Sequence, residues 1–181
     1  MFESARLDDD HIREGFDCGK EPLNTWLVEQ ARRVDTNGIA HVYVWTPLGK
    51  PKVCAYFAIC PTEVVRKEDG LTGSLSGGYA RIPGYLIARL ALDASLRGKG
   101  YGAQLLLDAL GKVVAASEIG GGRLVVVDAL DDEAQRFYEH FHFAPVKNRE
   151  RRLAMKMSTA AKALRADGAV PQQVGDRLDV H

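Results

Sequence analysis

The chain of 181 residues has no apolar run approaching the roughly 20 residues that a membrane-spanning helix requires. Its opening, MFESARLDDD, lacks the basic-then-apolar order of a secretory signal. Both absences point to the cytoplasm and away from a membrane. Cysteine is scarce: Cys18, Cys54 and Cys60 are an odd number with no C-x-x-C pair, which argues against a disulfide framework and a zinc knuckle. Net charge is absent, 24 Lys+Arg standing against 24 Asp+Glu, so overall charge gives no reason to expect nucleic acid. There is no internal repeat and no low-complexity tract. What remains, 46% apolar and 27% charged residues at this length, describes one globular domain.

Neutrality hides an uneven distribution. Glu3, Asp8, Asp9, Asp10, Glu14 and Asp17 face only Arg6 and Arg13 near the start, while Lys147, Arg149, Arg151, Arg152 and Lys156 crowd a later stretch with Glu150 opposing. Two readings stay open, a basic face and a merely solvated surface.

Residues 17–20 spell a turn, and Pro22 stands where a first helical residue loses nothing by lacking its N–H. The helix expected next places Leu23, Trp26, Leu27, Gln30 and Ala31 on one face and ends before Gly38. Ile39 to Trp45 and Val53 to Ile59, separated by a Pro-Leu-Gly-Lys-Pro turn, read as a hairpin. The glycine-rich stretch from Pro61 to Pro83 reads as a long loop. A strand over Tyr85 to Asp93 follows, with Leu86, Ala88, Leu90 and Leu92 on one face and Arg89 on the other. Apolar pairs recurring every four residues from Tyr101 to Ala116 predict an amphipathic helix, and Leu124 to Val127 predicts a strand buried on both faces. Asp131 and Asp132 are caps for a helix carrying Ala134, Phe137, Tyr138 and Phe141. Leu153 to Met157 supplies a last strand, and Ala160 to His181 reads as a frayed helix and polar tail. The order predicts an α/β fold, a mixed sheet with helices on its faces.

Residues 97–102, Arg-Gly-Lys-Gly-Tyr-Gly, lead directly into the predicted helix. Glycines that let the backbone approach a ligand, followed by unpaired helix N-terminal amides, make an anion site. Gly98-x-Gly100-x-x-Ala103 also matches a relaxed dinucleotide fingerprint, with Asp128 ending the next strand. However, Asp93 to Arg97 separate the strand from the first glycine, and too little chain follows for a dinucleotide-binding sheet. No Walker phosphate loop occurs.

Residues 90–102, LALDASLRGKGYG, resemble the signature of the GNAT N-acetyltransferases, a strand ending in apolar-x-apolar-Asp and then [RQ]-x-x-G-x-[GA]. The resemblance covers roughly residues 1–157 as an acetyltransferase domain, leaving 158–181 as a C-terminal helix and tail. It implies a mostly antiparallel mixed sheet with a splayed central strand, and acetyl-CoA as co-substrate with no metal. It places Leu90, Ala91 and Leu92 along the pantetheine arm and Arg97, Gly98, Lys99, Gly100, Tyr101, Gly102 and Ala103 around the pyrophosphate, with Asp131 among the coenzyme-binding residues. A narrower resemblance lies in residues 16–27, FDCGKEPLNTWL, in 89–93, RLALD, and in 137–143, FYEHFHF, which are similar to acetyltransferase toxins of bacterial toxin–antitoxin pairs. The chain departs from them at Ala40-His41-Val42, where the toxins more often carry Ser-Arg-Thr. That resemblance implies acetylation of the α-amine of an aminoacyl-tRNA, a block on translation, a ribbon-helix-helix antitoxin, and room for a homodimer.

Acetyl transfer needs a neutral amine at the thioester, donors for the developing oxyanion, and an acid to reprotonate the departing thiolate. The resemblance puts that acid at Tyr138, and a phenol with pKa near 10 is suited to a thiol near 8.5. Periodicity alone would equally assign Tyr138 to the apolar face with Phe137 and Phe141. Glu29, His41 and Asp93 could each be argued as a base and none stands out; an α-amine with pKa near 8 has little need of one. His140 and His142 read as helix-end residues. Arg89, Arg81 and Arg136 are the candidate substrate-binding residues, and with Lys99, Arg149, Arg151 and Arg152 they could track an RNA backbone. The alternatives are a housekeeping acetyltransferase for a small amine or protein N-terminus, and a non-enzymatic module that senses acetyl-CoA or holds a partner.

Overall fold

The computed structural model describes residues 1–168. In chain order the elements are β1 (Phe2–Arg6), α1 (Glu21–Glu29), α2 (Ala31–Thr36), β2 (His41–Pro47), β3 (Ala55–Val65), α3 (Arg66–Asp69) and α4 (Gly73–Ser76). Then follow β4 (Arg81–Leu92), α5 (Tyr101–Gly120), β5 (Leu124–Asp128), α6 (Asp132–His140), β6 (Ala144–Pro145), β7 (Arg152–Lys156) and α7 (Met157–Ala166). The strands form one 7-stranded sheet in the order β1-β2-β3-β4-β5-β7-β6. Only β4 and β5 run parallel, as their connection through α5 requires. The mixed, mostly antiparallel α/β architecture read from the sequence is therefore the one observed.

Helices cover both faces. On one, α1 and α2 bring Leu27 and Ala31 against Val42, Val44, Tyr56, Ala58 and Ala91. The other is lined by Leu105, Leu106, Ala109 and Val113 of α5, packed on Phe57, Ile87, Val125 and Val127. Strand β5 is sealed on both sides, since Val125 and Val127 enter this cluster while Leu124 and Val126 enter a third. The single helix expected before Gly38 is instead two, hinged at Gln30 (φ −115°), which lets both segments follow the sheet. The helix expected to fray from Ala160 is packed: Met157, Ala160 and Leu164 of α7 are buried. The expected polar tail falls on 169–181, outside the described residues.

The long loop expected from Pro61 to Pro83 is a correction. Both prolines lie within strands, Pro61 paired with Tyr85 and Pro83 with Glu63. The β2 ladder ends at the pair His41 and Ile59, so the rest of β3 has a partner on one flank only. Half its amides need no sheet partner, and a proline costs little there. The Val65 amide is taken by the buried carboxylate of Asp69 at 3.0 Å, which blunts the open edge. Pro83 offers its carbonyl to the Arg123 amide at 2.7 Å and has none to place.

The face assignment within β4 is a second correction. Ala58 pairs with Arg89 but Ile59 pairs with Ile87, so Ala88 is a surplus residue in a β-bulge. Side-chain alternation reverses across it. Leu90 and Leu92 consequently share a face with Ile87 and Tyr85, and Leu86 turns to the opposite one. Beyond the bulge β4 also loses β5: their ladder runs only from Gly84 with Leu124 to Ile87 with Val127. A Cβ at Gly84 would lie 2.5 Å from the Leu124 carbonyl oxygen, so glycine permits the close approach that precedes the splay.

Candidate active site

A cavity of about 370 Å³ opens where β4 leaves β5. One wall is the end of β4, Leu90, Ala91 and Leu92, which pairs with β3 on one flank and has main-chain groups free of β5 on the other. An amide-bearing ligand can use such groups as a further strand would. Arg97, Gly98, Gly102 and Leu105 close one end. Leu130, Asp131, Glu133, Ala134, Phe137 and Tyr138 form the facing wall, and Cys18, Lys20 and Leu23 reach over from the start of α1. Leu23 is held by the Tyr56 hydroxyl, which donates to its carbonyl at 2.7 Å.

The glycine turn enters α5 as the sequence predicts. Gly98 and Gly100 have φ of +72° and +80°, a left-handed conformation disfavoured for other residues. Gly100 is the N-cap and no side chain caps the helix. The first amides of a 20-residue helix are thus available to an anion. Gly98 and Gly102 line the cavity, while Lys99, Gly100, Tyr101 and Ala103 complete the turn outside its lining. The ring of Tyr101 packs edge-on against Phe2, with centroids 5.1 Å apart, and Lys99 reaches the Ser95 carbonyl at 3.4 Å. The Arg97 guanidinium donates to the carbonyl of Cys18, joining this turn to the loop before α1.

Tyr138 is 7% exposed, with its ring in the core and its residue lining the cavity. Its hydroxyl makes no hydrogen bond among the described residues. Burial pushes its pKa up, which keeps the phenol protonated at neutral pH. Burial likewise raises the Cys18 thiol. Asp131 is engaged locally: its carboxylate accepts the Ala134 amide at 2.9 Å as the N-cap of α6 and lies 2.7 Å from Lys20 Nζ. Hydrogen bonds from Lys20 and Ala134 hold its pKa below the usual carboxylate range. Glu29, His41 and Asp93 lie outside the lining.

The basic candidates are dispersed. Arg89 faces away from Leu90, over the Trp26 ring at 5.1 Å, and donates to the Ala88 carbonyl at 2.7 Å. Arg81 lies at the far end of β4, 2.6 Å from Glu63, and Arg136 is exposed on α6. Arg149, Arg151 and Arg152 are ion-paired with Asp69, Asp132 and Asp128. Sequence reasoning missed eight lining residues: Cys18, Lys20, Leu23, Leu105, Leu130, Glu133, Ala134 and Phe137. Leu23, Leu105, Ala134 and Phe137 carried a usable signal, their places on the apolar faces of their helices; the other four carried none.

Comparison with known proteins gives this geometry a family. The acetyltransferase (GNAT) domain family matches residues 55–145. A tRNA-acetylating toxin of Mycobacterium tuberculosis is 31% identical over 144 residues, spanning 76% of this chain and 81% of the toxin. The solved structure of AtaT complexed with acetyl-methionyl-tRNAfMet superposes with a TM-score of 0.82 at 29% identity, covering 91% of this chain and 99% of that one. A mutant AtaT toxin carrying tyrosine-to-phenylalanine, bound to the C-terminus of the antitoxin AtaR, gives 0.78 at 29% identity and covers 90% and 97%. On these matches the chain is a member of the GNAT acetyltransferase family, among its toxin-type enzymes.

Proposed function

We propose that this protein transfers an acetyl group from acetyl-CoA to the α-amine of an aminoacyl-tRNA and so blocks translation. The observation that carries the proposal is Tyr138 in the lining of a cavity walled by the end of β4 that has left β5 and closed by a glycine turn. The donor set suits acetyl-CoA: free main-chain groups at Leu90 to Leu92 for the pantetheine amides, and uncapped α5 amides with Arg97 for the phosphates. Acetyl-CoA supplies the activated acetyl thioester. The protein's part is to hold the thioester beside the entering amine, exclude water with Leu90, Leu105 and Phe137, and keep a proton ready on Tyr138 for the departing sulfur. The amine attacks the carbonyl carbon, a tetrahedral adduct forms, and the C–S bond breaks as the Tyr138 proton passes to sulfur, while the proton shed by the amine nitrogen restores the phenol. An α-amine is substantially neutral near pH 8, which agrees with a cavity whose acidic residues are tied to Lys20 and to a helix cap.

The tRNA acceptor rests on the relatives: a tRNA-acetylating toxin, and AtaT with acetyl-methionyl-tRNA. They equally support an antitoxin as partner, since AtaT is solved with AtaR. The reaction belongs in the cytoplasm, where charged tRNA resides, and among the described residues no helix is long and apolar enough to cross a membrane. Incubating the protein with labelled acetyl-CoA and a full set of aminoacyl-tRNAs should yield N-acetyl-aminoacyl-tRNA with the ester intact. If the set stays unmodified at low salt while a small amine or a peptide N-terminus is acetylated, the acceptor is not tRNA.

A further inference from the structure

The splay between β4 and β5 removes the backbone ladder that would hold the two walls of the cavity together, and side chains bridge the gap. On the β4 side, the loop before α1 is pinned by three contacts. Arg97 donates to the Cys18 carbonyl, the Asp17 amide to Asp93 Oδ2 at 3.2 Å, and the Ala94 amide to the Asp17 carbonyl at 2.9 Å. On the β5 side, the first turn of α6 carries Asp132 and Glu133 behind the N-cap Asp131. Arg151 takes Asp132 at 2.7 Å. Lys20, at the end of the pinned loop, reaches the other two across the mouth of the cavity, with Nζ 2.7 Å from Asp131 and 3.3 Å from Glu133.

We propose that Lys20 is a positioning residue of this cleft, an ionic clasp between its two walls that sets their separation and must release for the coenzyme to exchange. The inference rests on the reading that acetyl-CoA occupies the cavity. Lys20 and Asp131 are each about one-third exposed and Glu133 is 69% exposed. Such a pair is reached by water and salt and is individually weak, so it opens thermally, yet one ammonium shared by two carboxylates favours the closed arrangement. Lys20 touches no reacting atom; it acts through the distance between the loop before α1 and the first turn of α6, and so through the width of the coenzyme cleft.

The test is coenzyme release measured by stopped-flow displacement of a fluorescent CoA conjugate from the full chain by acetyl-CoA. Lys20→Met should speed release by about 3- to 10-fold and raise the KM for acetyl-CoA comparably, with kcat changed by less than about 2-fold, as expected for one exposed charge cluster. Raising salt from about 0.05 to about 0.5 M should accelerate release from the native protein and leave Lys20→Met almost unaffected. Lys20→Arg should restore slow, salt-sensitive release, and Glu133→Gln should give part of the effect with no further gain when combined with Lys20→Met. A purely structural lysine would alter melting temperature without moving the salt slope. Unchanged release and an unchanged slope in both Lys20→Met and Glu133→Gln overturn the clasp. Failure of the native protein to bind the conjugate overturns the clasp and the coenzyme reading together.

Discussion

The rings of Tyr138 and Phe143 meet edge to face with centroids 5.5 Å apart, and Phe137 flanks the same tyrosine at 5.3 Å. The ring is therefore held by its faces and edges, and the hydroxyl contributes no protein hydrogen bond among the described residues. Tyr138→Phe should keep the melting temperature and acetyl-CoA affinity close to native while turnover falls by about 10²–10⁴-fold, the usual contribution of a general acid. Calorimetry and single-turnover rates check this. A native rate at saturating substrate would return Tyr138 to a packing role.

The glycine turn separates into two kinds of position. Gly100 stands at φ +80°, so Gly100→Val should destabilise the fold by about 1–2 kcal/mol and lose coenzyme affinity through a distorted turn. Gly102 is helical, and a Cβ there would sit 3.4 Å from Phe137 Cε2, an ordinary contact. Gly102→Ala should therefore fold with equal or better stability, alanine being favoured over glycine in a helix by about 1 kcal/mol. Its methyl group nevertheless enters the cavity, and isothermal titration should show weaker acetyl-CoA binding.

Alkaline pH should act on stability and activity separately. Burial raises the pKa of both Tyr56 and Tyr138, so above about pH 10 the unfolded chain releases phenol protons that the folded chain retains. Stability from this source is complete below pH 10 and declines above it, by about 1.4 kcal/mol per pH unit for each tyrosine. Chemical denaturation across pH 9–11 should show the loss, with a shallower slope in Tyr138→Phe. The acetylation rate should rise through about pH 8 as the α-amine loses its proton, and Tyr138 should cause no fall before pH 10.

Arg149 is a structural cation. Its guanidinium covers the Asp69 carboxylate, which is 4% exposed and also receives the Val65 amide. Arg149→Ala should cost about 1–3 kcal/mol, the penalty for a buried acceptor deprived of its partner. Acetylation of charged tRNA should weaken as salt rises, as counterion release requires, with a slope that Arg149→Ala leaves unchanged. A reduced slope in that variant would make Arg149 a phosphate contact.

Local rules reached far along this chain and stopped where pairing partners decide. The caps at Asp131, the turn at Gly98 to Gly102, the stripe of Leu105, Ala109 and Val113, and the doubly buried β5 were all legible, because each depends on neighbouring residues in the sequence. The glycines between Pro61 and Pro83 suggested a loop, but the stretch opens and closes within strands, and a proline is tolerated in a strand that has an open flank. Which flank is open is set by where β2 ends. The tyrosine of α6 could be placed on an inward face, but only the packed sheet shows the cavity that it lines. Lys20 and Glu133 carried no signal, since their meeting depends on two distant turns brought to one rim.

The surplus residue at Ala88 separates β4 into two segments of independent phase. Upstream, Gly84 to Ile87 answer to β5; downstream, Leu90 to Leu92 answer to the cavity. Removing Ala88 would restore plain alternation, leaving Ile87 opposite Ile59 and Arg89 opposite Ala58, so Leu90 and Leu92 would keep their face while the irregularity at which β4 parts from β5 would be lost. Length changes before β4 could be absorbed by the coil at 77–80, whereas the interval between Ala88 and Gly98 tolerates none. That interval fixes the span of the cavity wall from the end of β4 to the glycine turn.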